Sequence, residues 1–253
     1  MKRILEFLNT RKVLAISLGT AVLLLFILSG KLIENVDNSE VVVIQSLTGQ
    51  MYVYDQPGPV FQNFGTATHY RKSKQFWFSN KIDEGNKIDQ SIKIRFNDGG
   101  HGNLSGSLRY NLPADHKRIL ALHTDFHSQQ GIEQELIRQV ITKSIYMTGP
   151  LMSSKESAAE RRNDLLSYIE DQAVNGVYKT VQEDVKIHDD LTGGDKTTTV
   201  VKIVQEKGIS LRQEKSAIIK YGVVLQGLAL NSIDYSKDVE EQIKLQQNLV
   251  MQV

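Results

Sequence analysis

SEVVVIQSLTGQMYVYDQPGPVF, residues 39–61, opens the polar part of this chain and sets its class. Two β-rich runs, 41–47 and 50–54, flank Thr48-Gly49, a residue pair suited to a tight turn between paired strands. Beyond Tyr54 the run YDQPGPVFQNFG places two prolines around one glycine and then returns to aromatics. Proline lacks an N–H and fixes its backbone angle, so no helix tolerates that stretch. It reads as a tight turn between strands. Strand chemistry continues outward through QFWFS, residues 75–79. Ile92, Ile94 and Phe96 alternate with Lys93 and Arg95, the period of a half-buried strand. Asp98-Gly99-Gly100 then turns the chain, and 104–112 returns as the next strand. Residues 38–115 together read as a small antiparallel β unit.

About 25 residues upstream of the proline turn lies VLAISLGTAVLLLFILSG, residues 13–30. It holds about 18 residues without a charge, or ~27 Å as a helix, close to the hydrocarbon thickness of a bilayer. Its apolar set is Val13, Leu14, Ile16, Leu18, Val22, Leu23, Leu24, Leu25, Phe26, Ile27 and Leu28. Lys2, Arg3, Arg11 and Lys12 precede it with only Glu6 against them, while Lys31, Glu34, Asp37 and Glu40 follow. The basic excess puts a short N-terminus in the cytoplasm and the main body outside, which is the periplasm in a Gram-negative cell. A cleavable signal peptide also starts basic, but it is usually shorter and ends in an A-x-A-like site; LSGKLIE is a poor match.

The 253 residues are 40% hydrophobic and 23% charged, with net charge +1. That suffices for one or two domains with a proper core. It gives no basic face for nucleic acid. With no cysteine, disulfides, thiolate metal sites and thiol catalysis are excluded. Four prolines and no low-complexity tract argue against long disordered regions.

Past the β unit the period becomes helical. Ile132, Leu136, Ile137, Val140, Ile141 and Ile145 fall on one face of a helix that should stop near Gly149-Pro150. Ser153 to Glu156, SSKE, is a capping box, and the helix it opens carries Leu165, Leu166, Ile169 and Ala173 to an end at Asn175-Gly176. Two β-rich arms then flank Thr192-Gly193-Gly194-Asp195, the expected tip of a hairpin. Residues 218–233, IIKYGVVLQGLALNSI, read as a further strand. A last helix begins near Lys237, where Val239, Ile243, Gln246, Val250 and Val253 follow the spacing of a coiled-coil seam.

This order of parts resembles the stomatin/prohibitin/flotillin/HflK–HflC family, also called SPFH or band 7. Residues 39–61 look like the family's opening hairpin and its PG-x-x-F turn, carried by Pro57, Gly58 and Phe61. IKIRFNDGGHGNLSGSLRYNL looks like its next strand pair, with Asp98, Gly99, Gly106 and Tyr110 in the family rhythm. YGVVLQGLALNSIDYSKDVEEQI resembles the family's passage from last strand to coil. The resemblance implies an α+β chain: a cytoplasmic N-terminus (1–12), a transmembrane anchor (13–33), a first β subdomain (37–125), a second α/β subdomain (126–236) and a coiled-coil start (237–253). The hairpin at 180–213 looks like an insertion relative to the commonest members, and the coil is far shorter than in the cage-forming ones. It also implies a β block lying close to the bilayer, assembly with copies of itself or with a paralogue, and an FtsH-type membrane-bound AAA protease as client.

Four local features need weighing. Phe76, Trp77 and Phe78 sit among Lys72, Lys74 and Lys81. They suit a membrane interface with the lysines on lipid head groups. They also suit a strand with Trp77 on one face and the phenylalanines buried on the other, and an aromatic strand is ordinary in a β core. His123 and His127 in HTDFH have helical metal-ligand spacing but no third ligand, so solvated polar residues at a helix–loop junction are the better reading. TGGDKTTT lacks the glycine before the lysine that a phosphate loop requires. No G-x-S-x-G is present, and Asp189-Asp190 has no partner for acid–base work. These residues nominate no catalytic set, metal site or cofactor. The expectation is a membrane-anchored scaffold that forms a ring or cage around a membrane patch, with Val239, Ile243, Gln246 and Val250 at the contact between copies. Its rivals are a membrane-tethered hydrolase or protease built from dispersed residues, and a lipid-binding module.

Overall fold

A computed structural model describes residues 16–23, 32–85, 87–189 and 194–251. The chain is α+β, with small antiparallel sheets and helices packed beside them. Residues 16–23 are helical (α1). The chain divides into two compact units, Met1–Lys72 and Ser73–Val253. The β-rich run expected as one block is therefore shared between them.

In the first unit β2 (Glu40–Gln45) is central, paired antiparallel with β3 (Met51–Tyr54) and β5 (Thr66–Arg71). The hairpin at Thr48-Gly49 forms as its residues foretell, closed by Ser46 and Gln50. A second ribbon pairs β1 (Ile33–Val36) with β4 (Gly58–Phe61). Here the expectation is corrected: 54–65 is not all turn, because Pro59 to Phe61 belong to an edge strand. Proline fits there since an edge strand has one side free of ladder bonds. Gly58 makes the entry with φ +135, a backbone that L side chains rarely adopt. Ile33, assigned to the anchor from sequence, is the first residue of β1. Val36, Val42 and Ile44 bury each other, with Tyr54, Val60 and Ala67 packed against them. Each such side chain contributes roughly 1.5–3 kcal/mol.

The second unit is built on β8 (His101–Asn111). β7 (Ile92–Arg95) and β6 (Ser73–Phe78) pair with successive halves of one side of it, and β13 (Val224–Tyr235) takes the other. Two irregularities, between Gln226 and Ala229 and between Leu230 and Ser232, bend β13 along its length. Helix α2 (His116–Phe126) was not foreseen. Asp115 caps it, accepting from Lys117 N–H, and Ile119, Leu122 and His123 are its buried positions. A histidine standing in an apolar place hid the period. The next helix runs through α3 (Gln129–Gly131), a wide π turn (Ile132–Ile137) and α4 (Arg138–Thr148), ending in a tight turn at Gly149–Leu151. All six apolar residues expected on its inner face are buried.

The capping box at Ser153 and Glu156 is present. The helix it opens is short, however: α5 (Ser154–Ala158) breaks where Ala159 leaves helical geometry, and α6 (Arg162–Asn175) carries Leu165, Ile169 and Ala173 into the core. The strand expected over 218–233 is also divided. Ala217–Tyr221 form helix α7, stopped by Gly222 at φ 69 in the left-handed region, and β13 starts after it. β9 (Thr180–Asp189) and β10 (Gly194–Ile203) form the expected hairpin, in register from Thr180–Ile203 to Asp189–Gly194. Gly194 and Asp195, expected at the tip, are strand residues, while Thr192 and Gly193 lie outside the described residues. Two short strands, β11 (Gln205–Glu206) and β12 (Ile209–Ser210), follow. Helix α8 (Lys237–Met251) closes the chain beside α5.

Candidate functional site

The first unit carries several exposed apolar side chains in and around two neighbouring loops. The chain enters it at Leu32, whose carbonyl accepts from Gln62 N–H at 2.9 Å. Ile33 and Phe61 are register partners there, and they are 55% and 71% exposed. The loop after β4 closes on itself through Gly65 N–H to Gln62 O and the Gln62 amide to Gly65 O, both 2.9 Å. Its Gly65 lies against Gln45 O, where any Cβ would stand 2.3 Å away. Gln45 ends β2 and leads into the Ser46–Gln50 turn, so the two loops are neighbours.

Ile33, Leu47, Tyr52, Phe61 and Phe64 of this unit are all exposed. Tyr52 turns its hydroxyl to Gln50 Oε1 at 2.6 Å. Asn63 and Phe64 hold φ of 49 and 58. Two successive non-glycine residues in the left-handed region are strained, and for a bulky phenylalanine this is a genuine outlier. Such strain persists only where the surrounding structure over-determines it. The directly preceding sequence is the apolar segment, of which residues 16–23 are described. Their Ile16, Leu18, Val22 and Leu23 are 58–69% exposed. Val13, Leu14, Leu24, Leu25, Phe26, Ile27 and Leu28 lie outside the described residues. Among the described residues no helix is long and apolar enough to cross a membrane.

Of the two readings of the aromatic triplet, the burial of its phenylalanines fits the strand. Phe76 and Phe78 are 3% and 0% exposed, stacked at 6.4 Å between ring centroids inside the second unit. Trp77, on the opposite face, is half-buried against Gly85. The strand reading was the right one, because the face carrying the phenylalanines is covered by helices. The lysines around them are engaged too. Lys72 donates to Asn38 O and Asp55 O at 2.8 and 2.9 Å. Lys74 pairs with Glu133 at 2.6 Å, and Lys81 with Glu84 at 3.8 Å. Glu133, on the π turn, also accepts from Tyr110 OH at 2.6 Å, and Gln129 donates to that hydroxyl. This polar cluster had no signal in the sequence, since its members come from three separate elements.

A second cluster centres on Asp171. Arg212 Nη2 lies 2.5 Å from its carboxylate, Asn175 donates to it at 2.7 Å, and Tyr178 OH also donates. Burial works to raise the Asp171 pKa, but these three hydrogen bonds and the Arg212 charge outweigh it and hold the carboxyl below its usual range. Burial, then the Asp171 carboxylate, raise the Tyr178 phenol. The Asp171 hydrogen bonds tie α6 to Tyr178 and Arg212 at one corner of the fold.

His123 is buried rather than solvated, at the end of α2, while His127 stands at its C-cap with φ 61. Burial, then the neighbouring His127, lower the His123 pKa. Among the described residues no three His, Cys, Asp or Glu side chains converge to hold a metal ion. Of the expected seam, Val239 is 5% exposed within its own chain, so it is not free to meet another copy. Ile243 is half-buried, and the side chains of Gln246 and Val250 lie outside the described residues. Pro57, Gly58 and Phe61 lead into and form the β4 edge, which places Phe61 at the exposed end. Compared with known proteins, the chain matches no family model, and no curated protein matches it.

Proposed function

We propose that the chain is a membrane-tethered scaffold. Residues 13–30 form a single spanning helix, the N-terminus is cytoplasmic, and the two units stand outside. The first unit rests its Ile33, Leu47, Tyr52, Phe61 and Phe64 end on the bilayer interface, where rings with one apolar and one polar side are favoured. Copies then assemble side by side, alone or with a paralogue, into a ring or cage enclosing a membrane patch. α8 contributes a contact between copies as the start of a coil. Membrane proteins inside or outside the patch are the cargo, and an FtsH-type AAA protease is the client that the family resemblance implies.

The observation that carries this reading is the exposed apolar end at Leu32–Phe61, directly beyond the uncharged segment. Exposed large apolar side chains near the entry of the chain favour contact with lipid or protein over water. Light scattering of the full chain extracted in mild detergent tests it. The expected result is one large, uniform assembly. A monomer at every concentration and detergent overturns the scaffold.

A further inference from the structure

We infer that Glu34, His69 and Glu40 form a proton-operated latch that fastens the β1–β4 ribbon to the three-stranded sheet of the first unit. Glu34 and Val36 lie on one side of β1, and Glu40, Val42 and Ile44 on one side of β2, because alternate residues of a strand share a face. Ribbon and sheet meet there, with Val36 and Val60 on one side of the seam and Val42, Ile44, Tyr54 and Ala67 on the other. His69 stands two residues along β5 from Ala67, on the same face. Both of its ring nitrogens meet a carboxylate. Nδ1 lies 2.9 Å from Glu40 Oε2 on β2, and Nε2 lies 3.4 Å from Glu34 Oε1 on β1. One imidazole thus spans the two layers.

The chemistry of the ring decides when that span holds. An ionised carboxylate only accepts hydrogen bonds, so a carboxylate on each nitrogen needs an N–H on each, and only the doubly protonated ring has two. Once a proton leaves, one nitrogen turns a lone pair towards a carboxylate. The neighbouring groups select which. Arg71 is the register partner of Glu40, whereas the register partner of Glu34 is Val60. β3 brings only Tyr52 and Tyr54, and β4 no titratable side chain. Lys72 donates to the carbonyls of Asn38 and Asp55, and Asp37 accepts from Asn38 N–H and Ser39. Glu40 has the shorter contact and a cation opposite it, so the remaining proton stays on Nδ1 and the Glu34 contact fails. Protons reach the ring without any opening, since its side chain is 38% exposed. Histidine changes charge between about pH 5 and 8. The latch is therefore closed in mild acid and released as pH rises, leaving the ribbon to its small core. The ribbon also carries the exposed Ile33 and Phe61. What a looser ribbon does to the bilayer contact rests on the scaffold reading above; the latch itself does not.

Hydrogen exchange of the full chain in mild detergent tests it, with the intrinsic pH dependence of exchange divided out so that protection alone is compared. From about pH 5.5 to about pH 8, protection of the β1 and β4 amides should fall several-fold, while that of the β2–β3 hairpin stays constant. His69→Gln should hold the ribbon at the low, alkaline level throughout, because its amide group donates to one carboxylate only. Glu34→Gln should hold it at the high level throughout, because its amide donates to the ring nitrogen that has lost its proton. Wild-type protection that does not change with pH overturns the latch. A pH step that persists in both variants assigns the titration to another group and overturns it as well. The Glu34→Gln arm decides the matter even where His69→Gln fails to fold. Assembly is read separately, from particle mass, so loss of the scaffold and loss of the latch are distinct results.

Discussion

Two pairs of phenylalanines, close together in sequence, meet opposite fates. Phe61 and Phe64 in the first unit are 71% and 39% exposed; Phe76 and Phe78 in the second are 3% and 0% exposed. Both pairs belong to β-rich runs. The difference lies in what covers them. β6 has helices on its phenylalanine face, whereas β4 belongs to a two-stranded ribbon and the loop after it carries Phe64 outward on a strained backbone. In this chain, aromatic content near positive charge marks a buried strand face, and an exposed pair of rings stands on an uncovered ribbon.

The comparison breaks first if the buried pair proves dispensable. Phe78→Ala should destabilise the second unit by about 3–5 kcal/mol, through lost burial and the cavity left behind. Phe61→Ala should change stability by no more than about 0.5 kcal/mol, as for an exposed side chain. Equal shifts in the denaturation midpoints would erase the contrast.

Next in size is Asp171→Asn, expected to cost about 1–2 kcal/mol at neutral pH, less than for a fully buried pair because the site is partly exposed. The sign follows from the lowered folded pKa. The carboxylate's contribution is complete above the unfolded aspartate value near pH 4 and disappears as pH falls through the folded value. Wild type and variant should converge in acid unfolding curves; parallel curves down to the lowest pH would show that Asp171 is not the titrating group. Ser153→Ala should cost about 1 kcal/mol by removing the capping box of α5. It leaves the first unit untouched, which limited proteolysis of each unit can read out.

The last test reads lipid contact rather than stability. In a Trp77→Phe background, Phe61→Trp should be quenched by brominated lipid in reconstituted vesicles, while Phe78→Trp should not. Quenching at 78 but not at 61 would reverse the roles of the two units.

Several elements could be read from local residues. Thr48-Gly49 demanded a hairpin turn, Ser153 and Glu156 wrote a helix start, and the Ile132 to Ile145 stripe fixed which face goes inward. Each depends on contacts within a few positions, so the information is in the string. The losses were of another kind. α2 was hidden by His123 in an apolar place, and 217–221 became a helix because Gly222 offers a left-handed stop between two β-prone runs. The sequence by itself determined the α+β class, the uncharged segment and most turns and caps, because these follow from backbone geometry and nearest neighbours. Tertiary structure alone decided that Phe76 and Phe78 are core, that Val239 is spent within its own chain, that Lys74 serves Glu133, and that Phe61 and Phe64 remain uncovered. A strand or helix specifies its two faces locally, but what covers each face comes from residues far away in the chain.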